Sequence, residues 1–305
     1  MVTPRRGEHK YLRPVVSLSE HDALAQLQTL FERRGRAVWP NQKLSQIIGK
    51  RPGGISDLEW SYATRAQLDF IVCDLATRMP DFAVELDDPT HRTPDARRRD
   101  DMKDAICAAA GLELLRIEST ALHQGAHGRK IIEYLIDARD FMHEVSEQQE
   151  AGALPLDEPF DYRNIIGRLP NGRSGFVNDL GAMARVEAEE MWEGGLIHSP
   201  VIKGICFQRQ DGWVEGWAWI RIQGDLFCFE QVQLRQYRFR CGLGPRELVE
   251  DLAAAAIGKH LHRLKADAPV LVRWRQICEA FDAAKADPGR LSEAEAALFS
   301  HISFS

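Results

Sequence analysis

At 305 residues the chain is long enough for two domains that each bury a core. Its make-up, 44% hydrophobic and 28% charged, is that of an ordinary soluble globular protein, and no apolar run approaches the length of a membrane span. A net charge of -6 gives no overall pull towards a polyanion, so a nucleic-acid partner has to be met by a local basic patch.

The start, MVTPRRGEHKYLRP, lacks the apolar segment of a secretory signal. Cys73, Cys107, Cys206, Cys228, Cys241 and Cys278 are scattered with no C-x-x-C pair. That spacing argues against a zinc site or a disulfide framework and fits a reducing cytoplasm. The expectation is a cytoplasmic protein with no membrane partner.

Ser17 to Arg34 reads as a helix, with Leu24, Leu27, Leu30 and Phe31 at helical spacing and Ser19 as N-cap. RAVWPNQKL suggests a short strand, with Pro40 pushing it towards a sheet edge or a strand end, and residues 49–54, GKRPGG, a loop. Leu68 to Leu75 and Phe82 to Asp87 read as strands joined by the turn-forming ATRMPD. A helix from about Arg98 ends at Gly111, the strand LELLRI follows, and a further helix runs from about Arg129 to Gln148.

The acidic, Pro- and Gly-bearing stretch at residues 147–162 is the expected linker between domains at residues 1–146 and 163–305. Beyond it, Asn178 to Glu193 looks helical. Val201 to Gln208, Trp213 to Ile222 and Leu226 to Leu234 look like an antiparallel sheet. Pro245 to Leu264 and Val270 to Ala286 read as helices, and LSEAEAALF opens with a capping-box pattern from Ser292 to Glu295.

Folding the two central strands as a hairpin centred on Thr77 sets Phe70 against Val84, Val72 against Phe82 and Leu68 against Leu86. It also sets Asp69 against Glu85, with Asp87 two residues on. The apolar match supports this register, because a one-residue slip would turn every side chain to the wrong face. Opposed side chains lie about 5 Å apart at Cβ, so the carboxylates repel unless a cation stands between them. Hard oxygen ligands of this kind suit Mg²⁺, Mn²⁺ or Ca²⁺. The competing reading is a set of solvated strand-end charges, paired with Arg92, Arg97, Arg98 or Arg99.

A helix bearing Glu20, a strand, a hairpin with Asp69 and ELD, then RRRDDMKDAICAAAGLELLRI, resembles a bacterial domain of unknown function in the restriction-endonuclease-like, PD-(D/E)XK nuclease superfamily. Very-short-patch repair endonucleases look like relatives. The resemblance spans Ser17 to Glu118. It implies an α/β fold with an α-β-β-β-α-β core, here followed by a smaller α+β domain. It also implies a Mg²⁺- or Mn²⁺-dependent nuclease that acts on DNA. Asp69 matches the metal-binding aspartate, Glu85 the glutamate of E-x-K, and Glu20 the carboxylate that the first helix sometimes supplies. Where E-x-K has lysine, this chain has Asp87, which can be a further metal ligand but cannot replace an ammonium. Lys103 on the following helix is the first candidate for the missing cation, and Lys43 on the first strand the second. His91 is a candidate acid or base. Loss of the motif lysine also fits a catalytically silent fold that binds nucleic acid, or an interaction module in a mobile-element or defence system.

Asp100 and Asp104 share a helix face with Lys103. Asp104 reads as a solvated residue of an acidic helix start, Asp100 as a possible neighbour of the site, and Arg116 as a group that orients a carboxylate or touches a phosphate. Arg97, Arg98 and Arg99 form the nearest basic patch. In the second half, Trp213, Trp217 and Trp219 share a strand face, and LRQYRFR interleaves Arg235, Arg238 and Arg240 with aromatics. Both patterns suit nucleic-acid contact, although tryptophans on a half-buried sheet also serve as core.

Overall fold

The computed structural model describes residues 18–87, 93–118, 122, 125, 128–209, 213–235, 239–266, 270–287 and 297–301. The chain is a mixed α/β protein and divides into two compact units, Met1–Leu122 and His123–Ser305. This division falls ahead of the 147–162 stretch that composition marks. The helix expected to close the first domain lies in the second unit.

In the first unit, α1 (Leu18–Glu32) buries Ala23, Leu27, Leu30 and Phe31 on one side, the spacing that makes it an amphipathic helix. Phe31 meets Phe82 edge-on at 5.5 Å. β1 (Arg36–Lys43) is an edge strand, which is where Pro40 costs no ladder hydrogen bond. Two short helices follow on either side of the 49–54 loop, α2 (Leu44–Ile48) and α3 (Asp57–Ala63). Ser56 and Glu59 cap α3 reciprocally.

β2 (Gln67–Asp74) runs antiparallel to β1 and to β3 (Pro80–Asp87). The β2–β3 register is Phe70 to Val84 and Val72 to Phe82, as the apolar pattern requires. Thr93 caps α4 (Pro94–Ala110), and Gly111 ends it with φ 73, a left-handed conformation that favours glycine. The crossover through α4 brings β4 (Glu113–Glu118) parallel to β3, for the sheet order β1-β2-β3-β4. Ile71, Ala83, Ile106, Cys107 and Leu114 pack between sheet and helix.

The second unit holds α5 (Ile131–Glu150), a 3-10 turn (Tyr162–Asn164), a small hairpin of β5 (Ile166–Arg168) and β6 (Ser174–Phe176), and α6 (Ala182–Glu193). Then come β7 (Ile202–Gln208), β8 (Trp213–Gln223) and β9 (Leu226–Arg235). α7 (Pro245–Ala266), β10 (Val272–Arg273), α8 (Trp274–Ala286) and β11 (Ala297–His301) complete it. The antiparallel sheet has the order β10-β9-β8-β7-β11. Alternation along β8 sends Ala218, Ile220 and Ile222 into one core with α6 and α7, and Trp217 into another with α8. Gly258 lets α6 and α7 close up, since a Cβ there would lie 2.7 Å from the Ala184 Cβ.

Two expectations need correction. Residues 297–299 belong to the strand β11, paired with β7, and not to a terminal helix; Ser292 and Glu295 lie outside the described residues. Trp213 and Trp217 are buried, so neither can stack a base: Trp217 packs edge-on against Phe207, Phe229 and Phe281.

Candidate functional site: a carboxylate–lysine fork

β2 and β3 pair up to Phe70 and Val84, and the continuing register sets Asp69 beside Glu85. There the carboxylates replace the backbone ladder. The Asp69 N–H donates to Glu85 Oε1 at 3.1 Å, and the Leu86 N–H donates to Asp69 Oδ2 at 2.9 Å. β3 continues alongside β4 to Asp87, so β2 and β3 part like the tines of a fork.

Lys103 of α4 enters the fork. Its ammonium donates to the Gln67 carbonyl at 2.9 Å and to Glu85 Oε2 at 2.5 Å, touching both tines. Ile106 and Cys107, about one turn further along α4, face the same core, so the helix's apolar stripe fixes where Lys103 points. Lys103 and Glu85 are both buried.

Burial pushes the Glu85 carboxyl up to about 7 against the pull of the Lys103 ammonium, and the Asp69 charge adds to the rise. Burial also raises Asp69, against the Leu86 N–H and Lys103, and the charge of Glu20 adds to that rise. Two carboxyls are thus held where shedding a proton is unfavourable, the condition that an added cation relieves.

Glu20, on the first turn of α1, is half-buried and within electrostatic reach of Asp69. Lys43 is exposed at the end of β1, and it is Lys103 that reaches Glu85. Asp87 ends β3, but its side chain lies outside the described part, as do the Arg97 side chain and the whole of His91. Arg98 and Arg99 are exposed on the first turns of α4.

Arg116 sits opposite Glu85 in the parallel ladder and is buried. Its Nη2 lies 2.9 Å from Asp104 and its Nη1 3.3 Å from Asp100. Asp104 is therefore an ion-pair partner that ties α4 to β4, not a solvated residue of a helix start. Tyr62 of α3 went unnoticed in the sequence. Burial raises its phenol, and it feels the charges of Lys103 and Glu85. Its helix carried a readable signal in Ser56-x-x-Glu59.

Among the described residues, no group of three or more His, Cys, Asp or Glu side chains is arranged to hold a metal. The fork offers two carboxylates. Mg²⁺ binds through one or two carboxylates together with waters and substrate phosphate, but here both Glu85 oxygens already accept hydrogen bonds, from the Asp69 N–H and from Lys103.

In the second unit, Arg240 is exposed, whereas the Arg235 side chain and Arg238 lie outside the described part. Phe239 is buried beneath the Arg139 guanidinium, 5.4 Å from its ring centre, so it is not a free stacking surface. No described helix is long and apolar enough to cross a membrane.

The family model described as "Protein of unknown function (DUF2726)" matches residues 12–135, so this part of the chain is similar to that family. No curated protein and no solved structure matches the chain.

Proposed function

We propose that residues 18–118 form a metal-dependent nuclease of the restriction-endonuclease-like class, acting on phosphodiester bonds in DNA. One observation carries this reading. Lys103 of α4 brings an ammonium to 2.5 Å from Glu85, as the lysine missing from E-x-K would. The element order supports it too: α1, β1, β2, β3, α4 and β4 follow the α-β-β-β-α-β order of that superfamily, with α2 and α3 inserted after β1.

Asp69 and Glu85 would hold Mg²⁺ or Mn²⁺, with Glu20 near enough to add charge. The bound ion would lower the pKa of a water and neutralise charge on the scissile phosphate. Lys103 balances the Glu85 charge; two of its three N–H donors go to Gln67 and Glu85, and the third would be the one left for a water or a phosphate oxygen. Arg98 and Arg99 offer cations to the flanking phosphates, as a net-negative protein requires.

A second reading has its own support. Both Glu85 oxygens are hydrogen-bonded within the fork, which a catalytically silent fold that only binds nucleic acid would also show. Plasmid cleavage in Mg²⁺, in Mn²⁺ and in EDTA separates the two. Metal-dependent nicking that is lost in Asp69→Asn supports the nuclease. Binding without cleavage in either metal leaves the silent fold.

A further inference from the structure

Among the described residues, the α8 side of the five-stranded sheet is covered at one end and open at the other. Alternation places Trp217, Trp219 and Arg221 of β8 on this side. The register sets Lys203 and Phe229 beside Trp219, and Phe227 beside Arg221. α8 shields Phe207, Trp217 and Phe229 through Ala280, Phe281 and Ala284. It begins at Trp274, so the strands beyond that point open into a cleft of about 1070 Å³. Its walls include Lys203, Trp219, Arg221, Phe227, Trp274 and His198.

Three aromatic rings cluster there. Trp274 is 5.9 Å from Trp219 and 5.4 Å from Phe227, centre to centre, and is itself 42% exposed. A large indole left open to water beside two further rings is an uncommon use of apolar surface. Two cations stand next to the rings. The Arg221 Nε–H donates to the Gly224 carbonyl at 2.7 Å, which fixes the guanidinium at the cleft wall. Lys203 is exposed and makes no ion pair among the described residues. Among the described residues of the lining, Asp225 is the one carboxylate.

A ligand that matches these walls needs a flat aromatic body and a nearby anion. A nucleobase with its phosphate has both: rings stack bases whatever their identity, and lysine and arginine take the phosphate. The volume lies just above the range of small-ligand pockets, roughly 300–1,000 Å³. It accommodates such a unit with chain continuing out of the open side.

We propose that the cleft walled by Trp219, Phe227 and Trp274, with Lys203 and Arg221, binds a nucleobase and its phosphate in single-stranded nucleic acid. The inference rests on the second unit alone and stands whether or not the fork cleaves phosphodiesters.

The test uses the whole chain in EDTA, so that no cleavage can intervene. The probes are a labelled ten-residue oligothymidylate, followed by anisotropy, and thymidine monophosphate, followed by quenching of tryptophan emission. Trp274→Ala should weaken oligonucleotide binding at least tenfold and reduce the quenching. Lys203→Gln with Arg221→Gln should weaken it similarly and flatten the salt dependence by roughly 1.4 in log–log slope, the expectation for two lost single-strand phosphate contacts. Oligonucleotide binding tenfold tighter than monophosphate binding identifies a strand as the ligand. Equal affinities retain the base-and-phosphate chemistry but make a free nucleotide the ligand. Wild-type affinity in both variants, or no binding of either probe by wild type, overturns the proposal. Lys203→Gln alone, at an exposed position, keeps the test valid if Trp274→Ala fails to fold by circular dichroism.

Discussion

Lys103 and Glu85 stand 18 residues apart in sequence, on a helix and a strand, yet their charged groups meet at 2.5 Å inside the first unit. Neither would be stable there alone, since an unpaired buried charge is costly. If the pair serves catalysis, Lys103→Met removes the ammonium while the aliphatic stem still fills the space. Plasmid nicking should fall at least 100-fold, about 2.7 kcal/mol of barrier. The upward shift in melting temperature on adding Mg²⁺ should persist, because the carboxylates remain. Wild-type nicking in this variant would remove Lys103 from the mechanism.

Asp69→Asn separates a metal ligand from a structural acceptor. The amide oxygen can still accept from the Leu86 N–H, which lies 2.9 Å from the native carboxylate. The charge that burial disfavours is gone. In EDTA the variant should melt above wild type, and added Mg²⁺ should raise its melting temperature less. Nicking should be lost. Thermal melts in the two conditions decide it: a lower melting point in EDTA with a wild-type response to Mg²⁺ would make Asp69 a structural residue.

DNA binding should depend steeply on salt and draw on the start of α4. Replacing Arg97, Arg98 and Arg99 together with glutamine should weaken duplex binding and reduce the log–log salt slope by up to about 2.7. Filter binding from low to moderate salt measures this directly. An unchanged slope would place the phosphate contacts elsewhere, with Arg240 and its neighbours next to be tried.

Asp251 gives the second unit its own pH dependence. It is buried beside Arg163, 3.5 Å away, and burial pushes its carboxyl up to about 6 although Arg163 and Arg185 pull the other way. An acid raised in this way holds its proton more tightly folded than unfolded. Its contribution to stability is full below about pH 4, the usual aspartic range, and is lost as pH climbs through about 6. Stability from this group should fall by roughly 2–3 kcal/mol across that window. In Asp251→Asn that component should vanish. Urea unfolding of both proteins from pH 4 to 7 gives the difference curve, and a flat one would show that Asp251 titrates normally.

The β2–β3 hairpin was legible because its apolar residues alternate, and only one register keeps them on their faces. That register also put Asp69 beside Glu85. The approach of Lys103 was legible in outline, since it lies on the helix that follows the acidic strand. The Asp104–Arg116 pair was not: it joins a helix to a strand, and no periodicity within either reports such a partner. The tryptophans show a different limit. Alternation along β8 correctly put Trp217 and Trp219 on one side, but strand spacing says nothing of where α8 begins and ends. That boundary is what buries the first and leaves the second at a cleft. β11 was missed because its alanine-rich approach favours a helix locally, while pairing with β7 outweighs that preference.

β11 has a practical consequence for anyone who shortens this chain. Ala297–His301 supplies the hydrogen-bonding partner along one side of β7. A version ending at Asp287 would leave a row of N–H and C=O groups on β7 open beside the apolar Ile205 and Phe207. Such an edge is a template for strands from other molecules. Inclusion bodies or soluble aggregates from a C-terminally trimmed version would then reflect a missing edge cover, and should not be taken to mean that the trimmed residues carry the activity.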